Sequence, residues 1–539
     1  NYDTCATRAV ERLTVKDGRI VAPGGTDYSL LVLPTKDTMS VKMVECIGRL
    51  AAAGARIVAP CRPSRAPGVN APGRTAYGKL VDSAWSKGVL ECSAKAAVAK
   101  LGIEKDFETA QENVCWNHRR DGSADWYFVA CDNEFPVTFE VSLRETGRTP
   151  EIWDAVTGER CAAPVWRAEG GRTFVTLDFA PSGSAFIVLR KAQEGRHVVR
   201  ASFNEPPPAP DEPHTLVIKR ALWGVFPESQ PPGADRQPNA IVDITDRLAA
   251  FVKDGTIDVR IDNKTLGVNV PGKEKTAHIT YEYDFEPHTA RVWERGRFAV
   301  PEYGRPQPPL GHEWRSGGIL AWRPLAATLD WSDGTRSVVK AAPPAPVEIE
   351  GEWIVSFPEG SDAPTRVVFP RLEAWNLSKN PGIRYFSGTA TYSKRVKMKP
   401  RGTARVMLDL GTVQNFAAVR VNGKAFPVLW KPPYRLNITE AVAPDADAFD
   451  LEVDVTNLWP NRLIGDDMMC ASDCEWACVP KDGRLEYALK EIPAWVKAGG
   501  KSPTGRHTFT TWRHWSKEDD LVASGLIGPA RLYFGEIAN

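Results

Sequence analysis

The chain has 539 residues, of which 42% are hydrophobic and 25% charged, which at roughly 100–200 residues per domain is material for three to five domains. Lys plus Arg number 68 and Asp plus Glu 67, a formal net charge of +1, so charge gives no reason to expect a nucleic-acid partner or an anionic membrane. No run approaches the ~18–20 apolar residues of a membrane span, and no signal peptide is recognisable, although a chain opening Asn1-Tyr2-Asp3 is expected to be a processed or truncated product.

The first hundred residues read as α/β. Tyr28-Ser29-Leu30-Leu31-Val32-Leu33-Pro34 is a continuous apolar run, expected of a strand buried on both faces. Thr38 is placed to cap a helix carrying Met43, Val44, Ile47 and Leu50 on one face, which Gly54 ends. Arg56-Ile57-Val58-Ala59-Pro60 supplies the next strand, so the unit is a right-handed crossover in a parallel, flavodoxin-like sheet. The connection after Leu33 is Pro-Thr-Lys-Asp, with none of the glycines that a phosphate-cradling loop uses.

From about Trp116 the pattern turns to β, in runs such as Trp126–Ala130, Thr138–Leu143, Thr173–Leu177 and Ser184–Leu189. Five prolines between Glu205 and Pro213 cannot continue a sheet or helix and mark a stiff linker. A third module carries strand-like Leu216–Ile218, Ile257–Ile261 and His278–Tyr283, with a short helix after Asp243-Ile244-Thr245-Asp246. A second proline knot, Pro343-Pro344-Ala345-Pro346, precedes the last module, in which Ala417–Val421 runs into an Asn422-Gly423 hairpin turn. The expected domains are therefore residues 1–110, 111–200, 214–345 and 347–539, a mostly β multidomain chain with one α/β domain.

Of the ten cysteines, Cys46 and Cys131 sit inside apolar runs, where a thiol acts as a small hydrophobe. Cys470, Cys474 and Cys478 have no fourth ligand nearby for a zinc site and leave a disulfide or free thiols. The eighteen Trp belong mostly to cores, although an indole face also stacks on a sugar ring. Glu151 and Asp154, flanking Trp153 after Pro150, are expected to shape a turn.

The last module is the most specific part of the chain. It reads Tyr385–Tyr392, Leu408-Asp409-Leu410-Gly411, Ala418–Lys424, Leu429-Trp430-Lys431-Pro432-Pro433-Tyr434, Val453–Asp466 and Ser524–Leu532. This string resembles the galactose-binding-like jelly-roll β-sandwich of family 2-type glycosidases. Its wording is closest to the C-terminal region of α-L-rhamnosidases of glycoside hydrolase family 106. Asn117-His118-Arg119-Arg120, Asp125–Val129 and Gly147–Asp154 resemble the same family.

That resemblance implies inverting hydrolysis of a terminal α-L-rhamnoside by two glutamates and a calcium ion on a (β/α)8 barrel. Inversion needs an acid to protonate the leaving oxygen and a base to activate water, ~6.5–9.5 Å apart. A barrel takes about 250 residues of strand–helix repeats, and only the first hundred residues here have that character. The catalytic pair is therefore expected upstream of Asn1, with a missing barrel as partner, and no cofactor is identifiable in this chain. The family also implies a periplasmic or extracellular setting.

Within the chain, Trp430 with Tyr434, and Trp459 with Asn461, Arg462 and Asp466, combine a stacking face with hydrogen-bonding groups, the ingredients of a carbohydrate site. The competing role is packing, with Arg462 and Asp466 as a buried ion pair. His118, the histidine inside a family-like motif, is either a scaffold residue or a substrate contact. A carbohydrate-binding scaffold without catalysis, and a glycosidase of other sugar specificity, stay open.

Overall fold

The computed structural model describes residues 3–133, 136–204, 215–226, 240–271, 275–300, 310–315, 318–402, 404–471, 473, 475–481, 484–511, 515–517 and 519–539. The proline-rich linker and Cys474 lie outside them; Cys470 is in no disulfide. Strands dominate, and the chain forms two compact units. One comprises residues 1–130, 139–177 and 185–194; the other comprises 131–138, 178–184 and 195–539.

The first unit opens on α/β structure. Leu31–Val32 pairs in parallel with Ile57–Val58, and Val58 makes a further parallel bridge to Leu90. The helix Val41–Ala52 crosses between the paired strands and buries Val44, Ile47 and Leu50 against Tyr77 and Val81 of the helix Arg74–Trp85. Two details differ from the sequence reading. Ser40, not Thr38, caps the helix Val41–Ala52, accepting from the Met43 amide. Val32 is exposed, so the strand expected to be buried on both faces is covered on one only. Gly48 brings the two helices together, since a Cβ there would lie 3.1 Å from that of Ala84.

Two sheets follow in the same unit. Five strands run in the order Arg160–Ala162, Arg148–Asp154, Ser184–Ala192, Ala124–Cys131, Val114–Asp121; four run Trp166–Glu169, Arg172–Phe179, Val137–Leu143, Phe107–Thr109. Along Ala124–Cys131 burial alternates strictly, with Tyr127 and Val129 in the core and Trp126 and Phe128 on the other face.

In the second unit, a four-stranded sheet orders Ile241–Asp243, Leu216–Gly224, Thr276–Tyr283 and Glu286–Trp293. The last is an edge strand. Its Arg291 amide donates to Asp520 Oδ2 (2.8 Å), and the Trp293 indole N–H donates to Asp519 Oδ1 (3.2 Å).

Two six-stranded sheets carry the largest core. In one, Arg531–Ile537 lies between Gly318–Ala321 and Arg405–Asp409 and also pairs with Val347–Glu348; His312–Arg315 and Arg435–Asn437 complete it. The other orders Arg366–Phe369, Trp353–Ser356, Thr389–Lys397, Ala448–Thr456, Phe416–Val421 and Lys424–Ala425. Trp353, Trp375, Tyr392 and Phe449 are almost wholly buried among their inward residues, each contributing about 1.5–3 kcal/mol by burial. Asn422 and Gly423, at φ +49° and +78°, form the two-residue hairpin turn that the sequence predicts.

Candidate functional site

Alternation in Phe416–Val421 sends Ala417, Val419 and Val421 into the core and turns Phe416, Ala418 and Arg420 outward. Ala417 exchanges two backbone hydrogen bonds with Leu429 (2.9 and 2.8 Å), so Trp430 follows beside Phe416 on the outer face. Trp430 is 54% exposed and Phe416 38%. Lys431 anchors this segment by donating to the carbonyls of Pro181 (2.7 Å) and Ser182 (3.2 Å).

The outward residues fall in rows across the strands. Thr389, Thr456 and Phe416 are register partners, and Trp430 extends their row. Thr389 and Thr456 share a hydroxyl hydrogen bond of 2.7 Å. Thr391, Asp454 and Ala418 form the next row, then Ser393, Glu452 and Arg420. Arg420 donates to Glu452 (2.7 Å) and, in a fork, to both oxygens of Asp454 (2.6 and 3.1 Å). The fork and the Thr391 hydroxyl hold the Asp454 carboxyl below the ordinary range.

The other residues singled out from the sequence divide by burial. Trp459 is exposed at the N-cap of the helix Pro460–Met469, whose Pro460 suits a first turn. Tyr434 is buried and donates its hydroxyl to the Asn415 carbonyl (2.7 Å). Asn461 donates to the carbonyl of Val522 (2.6 Å) and accepts from its amide (2.7 Å). Asp466 is completely buried; it accepts from the amides of His507 and Thr508 and from the Thr508 hydroxyl. Arg462 lies 2.9 Å from Asp466 and donates to Asp362 (3.1 Å). These contacts pin the helix to His507, Thr508, Val522 and Asp362, and the polar groups of Tyr434, Asn461 and Asp466 face protein partners.

His118 lies in the first unit. Its Nδ1 is 2.7 Å from Asp106 and its Nε2 2.8 Å from Asp125, and its ring stacks on Tyr127 at 4.0 Å. Burial alone would lower the imidazole pKa; the two carboxylates outweigh it and raise it. Asp125, buried, also accepts from Arg120 (2.8 Å) and Arg148. Burial opposes ionisation of Asp125, but Arg120, His118 and Arg148 bring its pKa below normal. At the far end of the strand Arg148–Asp154, Asp154 shapes the expected turn by accepting from the amides of Val156 and Thr157. Glu151 does not: it is buried within its strand, receiving the indole N–H of Trp153 (2.9 Å) and Arg190 (3.1 Å).

Among the described residues no group of three or more His, Cys, Asp or Glu could hold a metal ion. Nor is any described helix long and apolar enough to cross a membrane. Sequence reasoning began the strand at Ala417 and so missed Phe416; alternation carried back one residue would have found it. The partners Asp106, Asp362 and His507 had no local signal.

The proteins that this chain resembles are glycoside hydrolases. Residues 1–165 match the family model of the glycoside hydrolase family 106 alpha-L-rhamnosidases, the family to which the sequence motifs point. A curated relative from Formosa agariphila named "Putative beta-glucuronidase" is 27% identical over 639 residues, covering 99% of this chain and 53% of that protein. The chain thus spans about half the length of this curated relative. A rhamnosidase from Novosphingobium sp. PP1Y superposes with a TM-score of 0.54 at 22% identity, over 98% of this chain and 35% of that one. That likeness is one of fold.

Proposed function

We propose that the chain is the accessory portion of a glycoside hydrolase acting on terminal α-L-rhamnosides with inversion. The observation that carries this reading is the rhamnosidase family match over residues 1–165, in a chain whose fold follows about a third of a solved rhamnosidase. The acid–base pair of an inverting reaction must straddle the scissile bond with room for a water. Among the described residues the parallel pairing amounts to one strand pair and two single bridges, far short of an eight-stranded barrel. The carboxylate pair is therefore assigned to a barrel outside these residues, with this chain as its support in the periplasm or outside the cell. The second reading, a β-glucuronide substrate, rests on the name of the Formosa relative.

The test is hydrolysis of aryl α-L-rhamnoside and aryl β-D-glucuronide by the full-length gene product and by residues 1–539 alone. The expected result is cleavage of the rhamnoside by the full-length protein, with the β anomer of rhamnose released first, and no cleavage by the shorter chain. Cleavage of the glucuronide alone moves the substrate to the second reading. Turnover by residues 1–539 alone overturns the accessory role.

A further inference from the structure

The outer face of the sheet holding Phe416–Val421 has a composition that an ordinary protein contact does not explain. Interface centres are apolar and depleted of charge. Here the middle of the face carries the Arg420–Glu452–Asp454 ion pairs and the hydroxyls of Thr391 and Ser393, all turned outward. Arg395 and Asp450, further along, pair at 3.0 Å. Arg420 and Arg395 are matched by carboxylates, and the outward Arg366 and Lys397 lie in other rows than Trp430 and Phe416, so the aromatic end itself has little reason to attract an anionic polymer. Two exposed aromatics, Trp430 and Phe416, stand at one end beside the hydrogen-bonded hydroxyls of Thr389 and Thr456.

Flat apolar rings next to fixed hydroxyls and a charged hydrogen-bonding pair match one ligand chemistry: a sugar, which has apolar ring faces and a rim of hydroxyls. With neighbouring strands ~4.8 Å apart, the row from Thr389 to Trp430 extends about 14 Å, longer than one ring. The platform is also rigid. Phe416 belongs to a paired strand, and Lys431 ties the Trp430 segment to two carbonyls. Resting on the reading of the chain as part of a glycoside hydrolase, we propose that this face binds a neutral glycan chain of the polymeric substrate. Trp430 and Phe416 cover ring faces, while Thr389, Thr456 and the Arg420–Asp454 pair take hydroxyls.

The experiment is affinity electrophoresis of the full-length protein through gels containing a neutral plant galactan, with thermal unfolding measured on every variant. Aryl rhamnoside hydrolysis is read separately. Retention is expected to weaken about tenfold in Trp430→Ala, further in the Trp430→Ala, Phe416→Ala double variant, and little in Trp430→Phe. The exposed Leu377, which belongs to none of the strands of this sheet, serves as control, and Leu377→Ser should keep both retention and hydrolysis. Unchanged retention in the folded double variant overturns the platform. So does a loss of thermal stability in place of retention, which would mean that another domain covers the face. An unmodified protein that hydrolyses the aryl rhamnoside without being retained rejects the platform and leaves the functional reading standing. Retention lost in the double variant of a protein that hydrolyses neither glycoside supports the platform and rejects that reading.

Discussion

A carboxylate stands at each nitrogen of His118, so both contacts are hydrogen bonds only when the ring carries two protons and a positive charge. Arg120, Arg144, Arg148, Glu145 and Tyr127 surround the same carboxylates. Because the imidazole pKa is raised in the folded state, its stabilisation is fully present below about pH 6.5, the ordinary value, and is lost as pH rises through the folded pKa. Asp106 and Asp125 have depressed values, so their contribution is complete above about pH 4 and lost as pH falls through those lowered values. His118→Gln should therefore cost about 1–3 kcal/mol between pH 4 and 6 and progressively less in alkaline solution, read from urea midpoints across pH 4–9. A difference independent of pH would refute the charged clamp. The motif Asn117–Arg120 drew attention to His118, but nothing local announces that Asp106 and Asp125 converge on it. That convergence depends on strand pairing.

On the scale of single elements, the helix Pro460–Met469 shows how a small residue sets a packing distance. A Cβ on Gly465 would lie 2.6 Å from the Cβ and Cγ of Tyr385, so the glycine lets the helix lie directly on that ring. Gly465→Ala gains helix propensity but forces the two apart. The net expected loss is about 1–3 kcal/mol, measured as a lowered denaturant midpoint; an equal or raised midpoint would show that Tyr385 yields freely. The elements best read from sequence are those with a chemical mark in the chain itself. The Asn422-Gly423 turn is one, because few residues accept two successive positive φ angles. The helix Val41–Ala52 is another, and there the cap moved only from Thr38 to Ser40. Exposure was harder to read: Trp430, Arg462 and Asp466 look alike as site candidates, yet one stands in solvent and two are buried. Residue type gives the capacity to bind; the packing decides which groups are already taken.

Across the whole molecule, β character and the α/β opening were legible in the short apolar runs and their turns. The partners of the strands were not. Gly318–Ala321 pairs with Arg531–Ile537, more than two hundred residues away, and alternation says which face a strand buries without naming its neighbour. Edges carry a comparable hidden requirement. The strand Glu286–Trp293 ends its sheet, and an uncapped edge offers amides to any passing strand. Asp519 and Asp520 place two negative charges along it and occupy the Arg291 amide. Covering the edge in this way is expected to protect against self-association, a role separate from holding the loop in place. Asp519→Ala combined with Asp520→Ala is thus expected to leave the monomer folded but to make it aggregate at lower concentration, as followed by light scattering. On that expectation, solubility is set in part by two aspartates more than two hundred residues away in sequence from the edge they cover.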